Sequence, residues 1–400
     1  MKFNRYSSIL FLTLVVALSS CRDNEVKPAN EVLVSSQSIL IRTAGELRTI
    51  LGISGINLPI ASLQFDVEIY KVTYKTKYLN DQDITASGLV ILPKTSGSYP
   101  MVSFQHGTIA AHSQAPSVLA LSSTELILYA ALSSPGFITA VPDLIGFGSS
   151  SSVMHPYYVQ DLTASAVTDL LKAANELARE KSIEFNEKLF LAGYSQGGYA
   201  TMAAHKAIEK DGLDDFELIA SFPASGGYDV KGMQEYFFAL DTYNDPFYLG
   251  YVAMAYKSAY SWTPSLSDFF KEPYATRVPT LYDGSKSGSQ INAQLTTTIK
   301  DLVSSDLLVH IDTDTKYKYI ADAFILNSLT DWKPTKKMFM YHGDADVTVP
   351  YVNSVVTYNK LIANGASASV ISLTTLPGAT HGTGVIPYVE DFIPKMLALK

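Results

Sequence analysis

The chain reads as an α/β protein: a mostly parallel sheet with helices on both faces and a mainly helical insertion. Three observations predict this. Short apolar runs alternate with amphipathic stretches over most of the 400 residues, the rhythm of strands joined by crossover helices. That rhythm stops near residue 223 and is absent to about 335, where aromatic stretches broken by Pro and Gly read as several short helices. It resumes over 336–400, so the irregular stretch is an insertion between two strands of one sheet. With 47% hydrophobic residues, the chain can bury a core of that size.

The first segment, "MKFNRYSSILFLTLVVALSSC", places Lys2 and Arg5 ahead of an apolar run from Ile9 to Leu18. It is too short for a transmembrane helix and predicts an export signal over residues 1–20. The "LSSC" ending resembles a bacterial lipobox, which makes Cys21 the expected lipidation site and first residue of the mature protein. Cys21 is the only cysteine, so an intrachain disulfide is ruled out. Residues 21–45 then read as the lipidated N-terminus and a tether. The expected location is the bacterial cell envelope, at the outer membrane, with the lipid anchor as the membrane contact.

The folded part is expected over 46–222 and 336–400. "SLQFDVEIYKVTYKT" alternates apolar and polar residues, and "TASGLVILP" is its partner strand. "PMVSFQHG", "GFITAVPD", "EKLFLAG" and "FELIASFP" read as further strands, the first two as buried ones. "LTASAVTDLLKAANELA" carries Leu162, Ala166, Val167, Leu170, Leu171, Ala174 and Leu177 on one helical stripe. After the insertion come strand "KMFMYHG", helix "YVNSVVTYNKLIANG", strand "ASVISLTTLPG" and a final helix to Leu397. The insertion, 223–335, reads as a lid. Its aromatics, such as Tyr236, Phe237, Phe238, Tyr248 and Tyr251, exceed what its own core needs, and some of them are expected to line a pocket above Ser195.

Charged residues make up 17% of the chain and the formal net charge is −8. That excludes a protein tracking nucleic-acid phosphates, which needs a basic stripe. No pair of histidines has ligand spacing and "DADV" lacks the rest of a calcium loop, so neither a metal nor a cofactor is expected.

The chemistry centres on "GYSQG", residues Gly193 to Gly197, at the junction of a strand and a helix. G-x-S-x-G in that context is a nucleophile elbow: Ser195 sits in a strained turn, and side chains at the two glycines would collide. Gly198 lets the helix pack close to the sheet. A serine hydroxyl needs a base, and the base needs an orienting acid. Around such an elbow the acid and then the histidine follow the serine along the chain. "HGDADVTVP" offers Asp346 as the acid, with Asp344 as the alternative, and "PGATHGTG" places His381 after the last strand. His112, His155, His205 and His310 precede the acid, while His106 and His342 lie in HG turns and read as structural. For an oxyanion hole, Gln196 supplies one backbone N–H and "FQHGT" the second, from Thr108 or else Gly107. "VPDLIGFGSS" reads as a turn shaping the pocket floor.

These motifs resemble the α/β-hydrolase superfamily from about residue 60 onward, and within it the secretory lipase group. "YSQGG", "FPASGGYDV" leading into a long helical segment, and "HGDADVTVP…ATHG" carry the resemblance. It implies a fold with a lid, serine esterase or lipase activity and no cofactor. "FQHGT" resembles bacterial rather than fungal members, so general carboxylesterase activity on a small-molecule or lipid ester is expected before long-chain lipase activity. A peptidase or a carbohydrate-ester deacetylase uses the same parts. A lipid-anchored ligand-binding protein is the non-enzymatic alternative, against which three chemically competent triad positions argue.

Overall fold

The computed structural model describes residues 30–400 other than 54 and 56–58. The export signal and Cys21 lie outside the described residues. Among the described residues the strands are β1 (Leu33–Arg42), β2 (Val67–Lys77), β3 (Asp83–Pro93), β4 (Ser98–Gln105), β5 (Ile138–Pro142), β6 (Glu184–Tyr194), β7 (Glu217–Ala224), β8 (Lys337–Gly343) and β9 (Ile371–Leu376). They form one sheet in the order β1-β2-β3-β5-β4-β6-β7-β8-β9. The pairs from β1 to β5 are antiparallel and those from β5 onward parallel.

The first helices are α1 (Ala44–Ile53), α2 (Thr124–Ser133), α3 (Gln160–Glu180) and α4 (Gln196–Asp211). The stretch between β7 and β8 is helical, as its lost strand rhythm predicts. It holds α5 (Val230–Phe238), α6 (Phe247–Ala259), α7 (Tyr274–Arg277), α8 (Gly288–Asn292), α9 (Ile299–Leu302), α10 (Ser305–His310) and α11 (Lys318–Leu326). The chain closes with α12 (Tyr351–Ala363) and α13 (Val385–Leu399).

Strand side chains alternate between the two faces, as period-2 geometry demands. On β6, Leu189 and Leu191 pack with α3, while Phe190 and Ala192 pack with Tyr388, Phe392 and Met396 of α13. The predicted stripe of α3 faces the sheet, with Ala166 to Leu177 buried and Leu162 partly so. Each large side chain moved out of water contributes about 1.5–3 kcal/mol, so the two apolar layers hold the strand ends where the loops need them. The insertion has a cluster of its own around Phe237, Tyr243, Phe269, Phe270 and Tyr317.

The tether reading of residues 21–45 needs correction. Residues 33–42 are the edge strand β1, paired along β2 from Leu33↔Tyr74 to Arg42↔Val67, and α1 begins at Ala44. The start of the strand is fixed from far away. The buried carboxylate of Glu176 in α3 accepts the N–H groups of Glu31 (2.8 Å), Val32 (3.2 Å) and Leu33 (2.6 Å). Much of β1 stays exposed, so its composition carries little hydrophobic signal.

A second carboxylate secures the return from the insertion. Glu209 at the end of α4 accepts the N–H groups of Thr335 (2.9 Å) and Lys336 (2.7 Å), just before β8. It also accepts His205 Nε2–H at 2.7 Å, while Ser221 Oγ lies 2.7 Å from His205 Nδ1. Burial keeps His205 neutral by lowering its pKa. Burial alone would raise the Glu209 carboxyl, but the His205 hydrogen bond and the Lys336 and Thr335 N–H groups hold it down at about 2, against an ordinary 4.5. A carboxylate with a depressed pKa stabilises the fold above its unfolded value, and that contribution is lost as pH falls toward the folded one. Glu209→Gln is therefore expected to cost about 2 kcal/mol in urea unfolding at neutral pH. The gap to the native protein should narrow as pH drops from 4.5 toward 2; a pH-independent gap would contradict the assignment.

Candidate active site

The serine sits where β6 turns into α4. Ser195 has φ 62° and ψ −124°, a backbone conformation that costs about 1–3 kcal/mol for a residue with a side chain. Crowding enforces it. A Cβ on Gly193 would lie 2.3 Å from the Gly197 carbonyl oxygen, and one on Gly197 would lie 1.9 Å from that of Gln105. A Cβ on Gly198 would meet the Ala224 carbonyl of β7 at 2.2 Å, so the close packing of α4 on the sheet is real. Ser195 Oγ is thereby lifted from the turn toward the C-terminal ends of the strands.

His381, on the loop between β9 and α13, brings Nε2 to 2.8 Å from Ser195 Oγ and Nδ1 to 2.6 Å from Asp346 Oδ2. Tyr194 anchors that loop by donating its hydroxyl to the His381 carbonyl (2.8 Å). The two candidate carboxylates differ in position. Asp346 is buried and its Oδ1 accepts the N–H groups of Thr348 and Val349, both at 3.0 Å. Asp344 faces away and accepts the Gly378 N–H. Burial alone would raise the Asp346 carboxyl; hydrogen bonds from His342 and His381 instead hold it down at about 2, so it is ionised at neutral pH.

Gln196 is the first residue of α4, and its N–H is among those with no intrahelical acceptor. The loop after β4 lies against the serine: a Cβ on Gly107 would sit 3.6 Å from Ser195 Cβ. Thr108 follows, its Oγ1 2.9 Å from the Tyr157 hydroxyl. His106 and His342 are both tied into their turns, His106 facing the carbonyls of Gly107 (2.7 Å) and Asp143 (3.2 Å). The remaining histidines do not reach the serine–histidine–aspartate cluster directly. His155, kept neutral by burial, touches the side chain of Gln196 at 2.6 Å.

A cavity of about 110 Å³ opens from Ser195 into the insertion. Tyr157 and Tyr158 flank the serine, and Phe237, Phe238 and Tyr248 line it from α5 and α6. The other two of the five named aromatics lie elsewhere. Tyr236 belongs to the partly buried margin of the insertion's own cluster. Tyr251 stacks on Tyr157 at 4.5 Å and faces a second cavity of about 260 Å³. The "VPDLIGFGSS" turn is likewise not the pocket floor, since Gly146 and Phe147 border that second cavity. Asp143 instead braces the Gly107 loop. Its carboxylate accepts the Ser117 N–H (2.8 Å) and the hydroxyls of Ser117 and Ser87 (2.5 Å each). Tyr157 and Tyr158 are additions to the residues expected at the pocket, although the sequence sets two adjacent tyrosines after a His-Pro pair just ahead of the α3 stripe. Among the described residues no cluster of three His, Cys, Asp or Glu side chains could hold a metal ion.

The profile of the secretory lipase family matches residues 112–377, about two thirds of the chain. The chain belongs to the secretory lipase family. It is thereby an α/β-hydrolase and a hydrolase of the lipase and esterase kind, from a family of exported enzymes. No curated protein matches it by sequence. A Legionella pneumophila protein provisionally described as a hydrolase shares 25% identity over 92% of this chain and 98% of its own, with a TM-score of 0.82. The rice cell wall degrading esterase LipA of Xanthomonas oryzae superposes with a TM-score of 0.78 at 22% identity, over 93% of this chain and 98% of its own. Candida antarctica lipase A in its closed state gives 0.64 at 14%, over 92% and 82%. The last two are similar in fold.

Proposed function

We propose that this member of the secretory lipase family hydrolyses carboxylic esters through an acyl-enzyme formed on Ser195. The observation that carries the reading is the continuous chain from Ser195 Oγ through His381 to Asp346, with contacts of 2.8 and 2.6 Å. Ser195 Oγ attacks the ester carbonyl carbon while His381 Nε2 takes its proton. Asp346 keeps Nδ1–H in place and stabilises the imidazolium. The N–H groups of Gln196 and of Thr108 or Gly107 receive the oxyanion. On collapse the carbon–oxygen bond to the alcohol breaks and His381 returns the proton to it. Water then repeats the sequence, releasing the acid and restoring the serine.

The lid formed by 223–335 takes the acyl group. Its cavity walls are almost entirely apolar and begin at Ser195, which suits a chain that must leave water. Attachment to the envelope through a lipidated Cys21 would hold this site near a membrane; no helix of the described residues is long and apolar enough to cross one.

Ser195→Ala is expected to lower kcat for p-nitrophenyl butyrate by about 10^4-fold or more. Asp346→Asn should cost about 10^4-fold by favouring the wrong imidazole tautomer, whereas Asp344→Asn should change little. Retained turnover in purified, folded Ser195→Ala would sink the reading.

Acyl selectivity should follow the cavity. Each buried methylene contributes about 0.8 kcal/mol, or about fourfold in kcat/KM, so the profile should rise from acetate to a medium chain and then fall. Ala253→Leu, which narrows the cavity within α6, should depress the longer substrates and spare acetate. A flat profile in the native enzyme would exclude an acyl-binding lid.

Cys21→Ser should move the protein from the membrane fraction to the soluble one in its native host, because several acyl chains on one N-terminus anchor firmly and none remains. Equal membrane retention would mean that the anchor lies elsewhere.

A further inference from the structure

Asp346 is shared by two imidazoles. Besides His381 Nδ1 at 2.6 Å, its Oδ2 has His342 Nε2 at 3.2 Å, and both His342 and Asp346 side chains are fully buried. The same Nε2 lies 2.9 Å from the Val349 carbonyl, and His342 Nδ1 lies 2.6 Å from Ser354 Oγ. The carbonyl can only accept, so Nε2 carries the hydrogen and donates it to Val349, with Asp346 Oδ2 beside the same nitrogen at 3.2 Å. Nδ1 then accepts the Ser354 hydroxyl proton, and every polar atom of the ring is satisfied. His342 comes from the end of β8, Val349 from the turn before α12, and Ser354 from within α12. The ring therefore ties the turn that carries Asp346 to both flanking elements.

We infer that His342 is a positioning residue for the reaction, whose Nε2–H fixes the Asp346 carboxylate so that Oδ2 faces His381. The inference rests on the triad reading given above. A histidine that merely closed the turn would need only Val349 and Ser354; the third contact, to the oxygen that His381 uses, is what gives the ring a part in the chemistry. Other titratable groups around the trio are accounted for. Tyr194 donates to the His381 carbonyl and Tyr243 to the Thr348 carbonyl. The Tyr351 ring packs edge-on against His342, Asp245 accepts the Thr348 hydroxyl, and Asp344 accepts the Gly378 N–H. Tyr158, Tyr243 and Tyr248 have their pKa values raised, by burial first and also by the charge of Asp346, and stay neutral. Apart from His381, His342 is thus the only side chain among the described residues with a donor atom recorded on this carboxylate.

Removing that N–H has two consequences. The carboxylate can rotate away from His381, which lowers kcat more than it changes KM. When it does face His381 it has one donor fewer, so its charge acts more fully on the imidazolium and the acid limb of the kcat/KM profile moves to higher pH. The amide nitrogen of Asn overlays the Nδ1 side of the ring and that of Gln the Nε2 side, which separates the two roles. His342→Asn is expected to lose about ten- to a hundredfold in kcat, the worth of one hydrogen bond to a charged group. KM should stay within about twofold, and the acid limb should rise by about half a pH unit. His342→Gln should recover most of the loss and return the limb toward its native position. Ser354→Ala, which frees the ring without touching Asp346, should shift the limb the same way by less, and carries the test if the Asn variant does not fold. A native pH profile in folded His342→Asn, or in Ser354→Ala where that variant stands in for it, would overturn the inference. So would equal losses in the Asn and Gln variants. Ser195→Ala assayed alongside keeps the failures apart: if it is inactive while His342→Asn is native-like, the triad stands and only the role of His342 falls.

Discussion

The whole site depends on how closely α4 is pressed into the sheet. At the Ser195 turn three backbone approaches have no room for a side chain: Gly193 on the Gly197 carbonyl, Gly197 on that of Gln105, and Gly198 on that of Ala224. These contacts join β6 and α4 to the ends of β4 and β7 at once. The serine hydroxyl, the first N–H of α4 and the Gly107 loop therefore share one rigid junction, and their mutual distances follow from sheet geometry. Rigidity of this kind is what electrostatic stabilisation of an oxyanion requires, since donors that must reorganise during the reaction lose their advantage. The buried carboxylate of Asp143 extends the junction by bracing the loop after β4 from the β5 side.

Local pattern made much of this legible in the sequence, and nonlocal contact explains the rest. The G-x-S-x-G stretch is a contiguous motif whose glycines have one steric purpose, so the crowded turn at Ser195 could be read without a structure. His381, singled out by its position after the last strand, lies beside that serine. Asp346 and Asp344 stand two residues apart on one turn with the same chemistry, and only the turn's conformation distinguishes them: one carboxylate caps the Thr348 and Val349 N–H groups, the other points to Gly378. The edge strand β1 escaped for a related reason. It is defined by pairing with β2 and by Glu176, about 145 residues away in sequence, rather than by its own hydrophobicity. The pocket aromatics divide by helical phase. On α5, Phe237 and Phe238 reach the cavity and Tyr236 does not, a distinction that composition cannot make.

Four of the 25 tyrosines bridge the boundary between insertion and sheet. Tyr243 donates its hydroxyl to the Thr348 carbonyl beside Asp346, Tyr251 to the Ile109 carbonyl after the Thr108 turn, and Tyr256 to the Tyr158 carbonyl beside the serine. From the sheet side, Tyr199 of α4 donates to the Asn327 carbonyl at the end of α11. Phenylalanine at 243 or 251 would bury the same ring area but would leave the Thr348 or Ile109 carbonyl without that donor, at a cost of about 1–3 kcal/mol each. A tyrosine lets one side chain serve both the apolar wall and the backbone of a functional loop. The insertion is accordingly pinned at the loops that carry Asp346, Thr108 and Tyr158. Movement of the insertion would have to break these hydroxyl contacts together, which links the shape of the cavity at Ser195 to the alignment of Ser195, His381 and Asp346.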